Sequence, residues 1–271
     1  MPITRTYYKV HRCFPDPDYF YMENISGSTG YFNIDKYGTP ASTDLAYSLD
    51  KVTWTDIHNG GTISNVANGA KVYLRSSTGF SINNSNYYYL NSGGSFDAGG
   101  HIATLLNYLY VEGTTSIPTS AFNNMFFRSG YNSHLVHANI DFYGIKTIGD
   151  YGCYRMFFDN SQLIEIPDFS GIESVGVSAF KETFYRCNSL MTPADLSNVT
   201  SISNESFNGI YSYCSSLTEA IAPNISAWNT NNFSNWLYNT AATGVVRKPA
   251  GLTIPTNNAS GIPSGWTTED Y

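Results

Sequence analysis

Charged residues are scarce in this sequence, and positive charge is the scarcest. Among 271 residues, 14 Lys and Arg stand against 21 Asp and Glu, which gives a formal net charge of −7. The cations are scattered along the chain. Non-specific binding to nucleic acid needs clustered Lys and Arg that neutralise backbone phosphates. The composition therefore predicts that nucleic acid is not a partner.

Long apolar stretches are also missing. No run of about 18 apolar residues, the length that a membrane helix needs, occurs in the chain. Residues 1–9 lack the apolar core of a secretory signal. We therefore expect neither membrane insertion nor a secretory leader. The hydrophobic content of 42% is nevertheless enough for a substantial core.

Cysteines are few, and their positions indicate a role in core packing and not in catalysis or disulfide formation. The four are Cys13, Cys153, Cys187 and Cys214. Cys187 and Cys214 take equivalent positions in adjacent sequence repeats, close enough for a disulfide bond in a stacked structure. We interpret them instead as free thiols that act as small buried hydrophobic groups.

Motifs that carry catalysis are absent. The sequence has no Gly-x-Ser-x-Gly elbow, no phosphate-binding glycine loop and no Cys–His pair in a known spacing. His134 and His137 could ligate a metal, but no third ligand follows at a useful spacing. We therefore predict no enzyme activity, no cofactor and no metal. A carboxylate pair assembled from distant residues, as glycan cleavage requires, is left open.

A 27-residue repeat is the clearest pattern that is present. Leu163, Leu190 and Leu217 recur at this equal spacing, and an extended segment follows each of them. A trio of bulky or buriable residues precedes each leucine with the spacing i, i+4, i+7: Cys153, Phe157 and Asn160; Phe180, Phe184 and Cys187; Phe207, Tyr211 and Cys214. This spacing predicts a two-turn helix with one buried face. Because one unit cannot cover its own apolar face, neighbouring units are predicted to stack in parallel around a shared core.

The repeat resembles a known family. The segment Phe-x3-Phe-Tyr-Arg-Cys-Asn-Ser-Leu from Phe180 to Leu190, followed by Asp195-Leu-Ser-Asn-Val-Thr-Ser-Ile202, resembles the Treponema-type, or BspA-like, leucine-rich repeats of phage virion and bacterial surface proteins. The resemblance covers about residues 117–240. These units are longer than the usual family unit, and Trp228 stands where an aliphatic residue is expected.

The part of the chain before the repeats has the pattern of β-structure. Short segments rich in aromatic and β-branched residues alternate with Gly, Asn, Asp and Ser turns at intervals of roughly ten residues. This rhythm is typical of a small antiparallel β-sandwich. The predicted strands cover residues 19–23, 31–34, 45–49, 52–57, 62–66, 71–75 and 87–90.

The predicted fold class is α+β multidomain, with a small antiparallel β-sandwich followed by an α/β leucine-rich-repeat solenoid. The predicted boundaries are an N-terminal arm over residues 1–20, the sandwich over 21–95, an N-terminal cap over 96–116, the repeats over 117–240 and a C-terminal cap or tail over 241–271. Gly99 and Gly100 indicate a loop, and a short helix is expected over residues 102–111. A loop over residues 128–134 is expected to bulge, and Trp266 is expected to pack in the C-terminal cap.

Two rows of polar residues, which flank the inward-pointing leucines, are predicted on the solvent face of the strands. The rows are Gln162, Ser189 and Ser216, and Glu165, Thr192 and Glu219. Stacked strands would repeat these groups at intervals of about 4.8 Å, which suits a polymeric or protein ligand better than a small metabolite. An ordinary solvated sheet face is the alternative.

The resemblance implies a role in attachment. The leading hypothesis is a non-catalytic virion protein of a bacteriophage, at a tail fibre, baseplate or capsid surface, that binds a host cell-surface glycan or protein or other virion proteins. The virion is then the expected location, and a homo-oligomer is left open. The alternatives are a bacterial cell-surface adhesin, located outside the cell, and, with less support, a glycan depolymerase.

Overall fold

The structure, a computed structural model, describes residues 18–38, 45–76, 86–109, 111–127, 134–257 and 259–271. The predicted arm over residues 1–20 and the predicted bulge over 128–134 lie almost wholly outside these residues. The described part contains sixteen strands, one α-helix, α1 (Thr104–Asn107), and one 3-10 turn, Val111–Gly113. The predicted α/β solenoid is therefore wrong, because the protein is nearly all β and none of the three proposed repeat helices forms.

The strands fall into four small sheets. The first ten strands are β1 (Tyr21–Asn24), β2 (Gly30–Tyr37), β3 (Ala46–Ser48), β4 (Thr55–Asp56), β5 (Gly61–Val66), β6 (Lys71–Arg75), β7 (Tyr87–Ser92), β8 (Ser95–His101), β9 (Ser116–Ile117) and β10 (His134–Asp141). The last six are β11 (Thr147–Ile148), β12 (Ser174–Val175), β13 (Ser201–Ile202), β14 (Glu219–Ile221), β15 (Gly244–Lys248) and β16 (Trp266–Asp270).

The N-terminal half contains two sheets built mainly from antiparallel pairs. The larger has the order β10-β8-β1-β6-β3-β4 and the smaller β5-β2-β7. Alternating burial in β1 and β6, as in β6 where Val72 and Leu74 are buried between half-exposed neighbours, gives these strands one face toward the core. Phe32 of β2 packs edge-on against Phe96 of β8 at 5.8 Å between ring centroids. All seven strands expected from the sequence are confirmed, with shifted ends.

Strand β8 forms where a loop was predicted. It lies between β1 and β10, as the second strand from one edge of the larger sheet. The two glycines that indicate a loop are needed for close packing, because a Cβ at Gly99 would overlap the Tyr21 hydroxyl and one at Gly100 would overlap the Tyr19 carbonyl oxygen. Gly100 also has a φ of +79°, which favours glycine. The prediction of a loop here is therefore wrong.

The two halves of the chain share one hydrophobic core. Strand β10, which follows the first repeat residues, pairs in parallel with β8 of the larger sheet. Phe126 lies at the junction, with its ring centroid 6.1 Å from that of Phe96 and 5.6 Å from that of Phe157. The Leu90 amide also donates to the Met125 carbonyl at 2.7 Å. One continuous apolar cluster consequently extends from Phe20 to Trp266.

Each predicted repeat helix is replaced by a series of tight turns. Over residues 177–186 the backbone has positive φ at every fourth residue, Ser178, Glu182 and Arg186. The preceding repeat has the same feature at Tyr151, Arg155 and Asp159. A residue with positive φ cannot continue a right-handed α-helix. The chain therefore turns in units of four residues and does not wind helically.

Hydrogen bonds in these turns alternate between two directions. The amides of Phe180 and Glu182 donate to carbonyl groups of the next repeat, at 2.9 and 2.8 Å. The amides between them, such as that of Lys181, donate to the carbonyl three residues earlier and close a turn. An α-helix would direct all of these bonds within the segment. Here about half of them join one repeat to the next.

The buried stripe is placed as the sequence indicated, although the helix is absent. Phe184, Cys187 and Leu190 are fully buried, and their equivalents in the adjacent repeats are buried too. A repeating unit of four residues gives the spacing i, i+4 as well as a helix of 3.6 residues per turn does. Over two turns the two periods differ by less than one residue. A trio that spans only two turns therefore could not distinguish a helix from a series of four-residue turns.

Stacked rings fill the space between repeats. Phe126, Phe157, Phe184 and Tyr211 form one column, with centroid distances of 5.6, 5.4 and 5.7 Å and interplanar angles of 9°, 2° and 9°. Tyr211 ends this series, and its hydroxyl accepts the Ala194 amide hydrogen at 2.8 Å. Burial raises the pKa of Tyr211, so its hydroxyl stays neutral. The column keeps successive units in register.

Two parallel ladders accompany the turns. Strands β9, β11, β12 and β13 pair in sequence order, with Ser174 opposite Ser201 and Val175 opposite Ile202. A second ladder, β14-β15-β16, lies at the C-terminal end. Trp266 begins β16 and is buried, and its indole N–H donates to the Ala241 carbonyl at 2.8 Å, as expected of a packed cap residue.

The three described cysteines are free and buried, as predicted. The thiols of Cys187 and Cys214 donate to the carbonyl oxygens of Phe157 and Phe184, at 3.2 and 2.9 Å. Asn160 takes the equivalent position one repeat earlier and donates to the Phe126 carbonyl. Burial raises the pKa of Cys153, Cys187 and Cys214. These thiols therefore serve as packing and hydrogen-bonding groups.

The buried thiols predict protection from alkylation. In a Cys13→Ser chain, only the three buried cysteines remain, and we expect negligible labelling by iodoacetamide under native conditions because no thiolate forms. Denaturation should expose three reactive thiols per chain. Mass spectrometry counts the adducts. Rapid native labelling of Cys187 or Cys214 would contradict this packing.

The ring column predicts a large difference between neighbouring residues. Phe184→Ala removes a fully buried ring and should lower the free energy of unfolding by about 3–5 kcal/mol. Tyr185→Ala, the matched control, removes a half-exposed ring and should cost about 1 kcal/mol. Urea denaturation followed by tryptophan fluorescence measures both. Equal losses for the two variants would show that the column does not hold the repeats together.

Candidate functional site

A second row of aromatic side chains lies at the surface of the repeats. Phe158 and Tyr185 follow the buried column residues directly in the chain and stack at 4.7 Å with an interplanar angle of 4°. Tyr213 and Tyr238 continue the row through edge contacts at 5.2 and 5.5 Å. The four rings are half-buried or, for Tyr238, exposed. We call these four residues the surface aromatic row.

Arginine side chains lie against this row. The Arg186 guanidinium lies 5.4 Å from the centroid of Tyr185 and 5.6 Å from that of Tyr213. Arg155 lies 5.1 Å from the ring of Phe158 and forms an ion pair with Glu182 of the next repeat at 2.5 Å. Arg186 has no ion pair within the part of the chain that the structure describes. Its exposed guanidinium and the tyrosine hydroxyls can therefore reach a ligand.

Two rings of the row, those of Phe158 and Tyr185, cover each other's facing sides. Because Phe158 and Tyr185 are parallel at 4.7 Å, no ligand ring can enter between them. What the row offers to solvent is ring edges, hydroxyl groups and the Arg186 cation. Such a surface can donate hydrogen bonds and bind carbonyl or carboxylate oxygens. Tyr and Arg are also the residues enriched in protein interfaces.

Ion pairs also join neighbouring repeats. Lys181 Nζ lies 2.7 Å from Glu205 Oε2, and Lys146 Nζ lies 2.9 Å from Glu173 Oε1. In both pairs the lysine belongs to one repeat and the glutamate to the next. The hydrogen bond and charge of Lys181 hold the pKa of Glu205 below its usual range. These pairs neutralise charge locally. They leave a polar, weakly charged surface.

The predicted polar rows lie at the surface, next in the chain to the aromatic row. Gln162, Glu165, Thr192 and Ser216 are exposed, while Ser189 and Glu219 are half-buried. Gln162 follows Phe158 by four residues, and Ser189 follows Tyr185 by four. The two kinds of residue therefore recur at the same offset in these two repeats.

The six polar residues do not lie on one continuous ladder. Glu165 forms an isolated bridge with His137, and Glu219 begins β14, where it forms an ion pair with Arg247. Thr192 lies in a segment without strand structure. Pro193 follows it and has no N–H to donate to a ladder. The predicted strand row is thus interrupted at the second repeat.

Two depressions mark the described surface. One of 410 Å³ is lined by Asn24, Tyr31 and small polar residues near Gly93. The other, of 680 Å³, lies beside the outer edge of β13 and is bounded by residues 224–229 and by Pro249 and Ala250. Neither contains a charged lining residue. Both are within the size range of small-ligand sites.

No group suited to holding a metal appears in the described part of the chain, where no three or more His, Cys, Asp or Glu side chains converge. His137 Nδ1 lies 2.7 Å from Asp97 Oδ1, which links β10 to β8 and explains this histidine structurally. The His134 side chain lies outside the described residues. The absence of a cofactor, of a metal and of enzyme activity stays a prediction.

Protein-family models, curated proteins and solved structures give no match to this chain. The family resemblance drawn from the repeat motif therefore stays a prediction. Among the described residues, no helix has the length and apolar character needed to cross a bilayer.

Sequence reasoning missed both the surface aromatic row and the depression beside β13. The row had a signal, because Phe158 and Tyr185 lie exactly one repeat period apart and each follows a buried ring of the repeated motif. The depression also had a signal in the sequence. Trp228 stands one repeat period after Ser201, where a further strand would begin. A repeat that loses its strand residue indicates where the ladder ends.

The Lys181–Glu205 pair predicts a pH-dependent contribution to stability. Because the folded pKa of Glu205 is lowered, the stabilisation is present above the unfolded value of about 4.3 and is lost as pH falls through the folded pKa. Glu205→Gln should therefore lower the free energy of unfolding by about 0.2–1 kcal/mol at pH 7, as for other exposed pairs. Urea titrations across pH measure this difference, which should vanish at low pH. A difference that persists at pH 2 would contradict the pairing.

Proposed function

We propose that this protein is a non-catalytic attachment protein, which binds its partner through the surface of the repeats. The observation that carries the proposal is the surface aromatic row with Arg186 beside it. The surface residues Gln162 and Ser189 follow the row residues Phe158 and Tyr185 by four positions in the chain. Binding energy at protein surfaces concentrates in Tyr, Trp and Arg. A repeated row favours an extended partner, such as a glycan chain or another protein, over a compact metabolite.

The setting of this attachment is proposed from the repeat motif. The segment from Phe180 to Leu190 resembles BspA-like repeats of phage virion and bacterial surface proteins. We place the protein on a bacteriophage particle, at a tail fibre, baseplate or capsid surface, where it would contact the host surface or neighbouring virion proteins. This part of the proposal is an analogy, because a motif does not fix a function. A bacterial cell-surface adhesin is the alternative setting.

Binding to cells tests the role of the row. Fluorescently labelled protein is incubated with a panel of bacterial strains, and bound fluorescence is measured by flow cytometry. The double variant Tyr185→Ala, Arg186→Ala should reduce binding about tenfold or more, because it removes the ring in the middle of the row together with the exposed cation beside it.

Tyr143→Ala is the matched control. Tyr143 is 83% exposed and lies outside the row, so its loss should leave binding unchanged. Purified virion proteins fixed to a surface replace the cells in a second assay. Undiminished binding by the double variant in both assays would overturn the proposed role of the row.

Particle composition tests the proposed setting. Mass spectrometry of purified phage particles should detect this chain in a fixed copy number relative to the capsid protein. Detection only on bacterial cells would favour the adhesin and contradict the virion assignment. The two assays are independent, because a cell-surface protein would still lose binding through the double variant.

A further inference from the structure

The parallel ladder β9-β11-β12-β13 stops at a defined point. In the earlier repeats, the Lys146 carbonyl accepts the Ser174 amide hydrogen and the Glu173 carbonyl accepts that of Ser201. The carbonyl oxygens of Ile148 and Val175 accept in the same way, from Gly176 and Ser203. Each strand thus offers two acceptors to the strand after it.

The last strand of this ladder, β13, has the equivalent carbonyl acceptors, but no further described strand pairs with it. In the described chain no amide hydrogen of the following repeat reaches the carbonyl oxygens of Thr200 or Ile202. Trp228 stands where the next strand would begin, and its ring turns to stack on Phe233 at 3.6 Å. Its indole N–H donates to the Ser260 carbonyl at 2.7 Å. The loop that contains Trp228 consequently leaves a depression beside β13.

This depression combines several features of a ligand site. Its volume is 680 Å³, and Thr200 and Ile202 form one wall. Asn224, Ser226 and Asn229 add side-chain amide and hydroxyl groups. Ile225, Pro249 and Ala250 add apolar surface. Residues that carry acceptors, donors and apolar surface thus line one depression, and none of them is charged.

We propose that the depression beside β13 binds one neutral sugar residue of a glycan. Sugar hydroxyls can donate to the two open carbonyl oxygens and exchange hydrogen bonds with the asparagine amides, while the C–H face packs on the apolar wall. The uncharged lining disfavours a charged ligand, whose desolvation would not be offset. The inference gives the proposed attachment role a ligand class and rests on that role only in placing the glycan on a host cell.

A peptide strand is the competing occupant, and the geometry disfavours it. Strand addition draws its affinity from a row of main-chain hydrogen bonds. Strand β13 is only two residues long, Ser201–Ile202, and it offers a very short edge. Residues of the loop over 224–229 also bound the depression. The site therefore suits a small ligand.

Ligand-observed NMR tests the site directly. Saturation-transfer spectra are recorded with D-glucose, D-galactose and N-acetyl-D-glucosamine, and with D-galacturonate and D-glucosamine as charged counterparts. At least one neutral sugar should show transfer, and it should exceed that of its charged counterpart. A synthetic peptide with the sequence of residues 199–204 serves as the strand probe.

Variants locate the binding. Ala227→Trp should fill the depression and Asn224→Ala should remove an amide, and each should weaken sugar binding about tenfold. Asn204→Ala changes an exposed asparagine outside the depression and should have no effect. Thermal melts verify that the variants fold. If a variant does not fold, the other provides the comparison.

The outcomes separate the site from the attachment role. Absence of transfer to every neutral sugar, equal transfer to the wild type and both folded variants, or binding of the peptide probe alone would each overturn the sugar site. Sugar binding that responds to the variants supports the site even if the chain is absent from virions. Cell binding that depends only on the surface aromatic row would leave the attachment role intact without this site.

Discussion

Hydrogen bonds between consecutive repeats are the interaction on which the rest of this structure depends. Every second amide in the turn segments, for example those of Phe180 and Phe184, donates to a carbonyl of the next repeat. A unit that satisfies only half of its backbone groups internally cannot be stable alone, because a buried unpaired amide costs about 1–3 kcal/mol. The bonds also set the spacing at which rings such as Phe157 and Phe184 stack. Backbone pairing and side-chain packing thus enforce the same register.

The sequence predicted which residues are buried better than it predicted how the backbone turns. The repeat period and the burial of Phe184 and Leu190 followed from hydrophobic pattern, because the same apolar groups must leave water in any arrangement. The predicted helix is absent because non-glycine residues such as Glu182 and Arg186 have positive φ. The sequence did not reveal this, because positive φ at such residues leaves no sequence signature. These conformations are stabilised by neighbouring repeats and not by local propensity. Similarly, glycines at β8 indicated a loop, although tight packing against Tyr21 was the actual reason for them.

The candidate surface follows from the same stacking. Any side chain at a given place in the repeat recurs beside its equivalent, so Phe158 and Tyr185 form a surface row without any separate selection for contact between them. The polar residues Gln162 and Ser189 were predictable for this reason, since they share a fixed offset from the leucines. The position of Arg186 over two tyrosine rings was not predictable, because it depends on the backbone turn.

The end of the ladder beside β13 shows what happens when the stacking rule is broken at one position. Carbonyl oxygens that accept amide hydrogens of the next repeat elsewhere in the ladder have no such partner among the described residues here, and a depression opens beside them. The stacking of the repeats requires that each of them turns in units of four residues. The most direct test is NMR of the backbone over residues 177–187, by three-bond amide–Hα couplings and by contacts between protons at equivalent positions of adjacent repeats. Couplings typical of positive φ at Ser178, Glu182 and Arg186 are the predicted result, and the continuous small couplings and chemical shifts of an α-helix would contradict it.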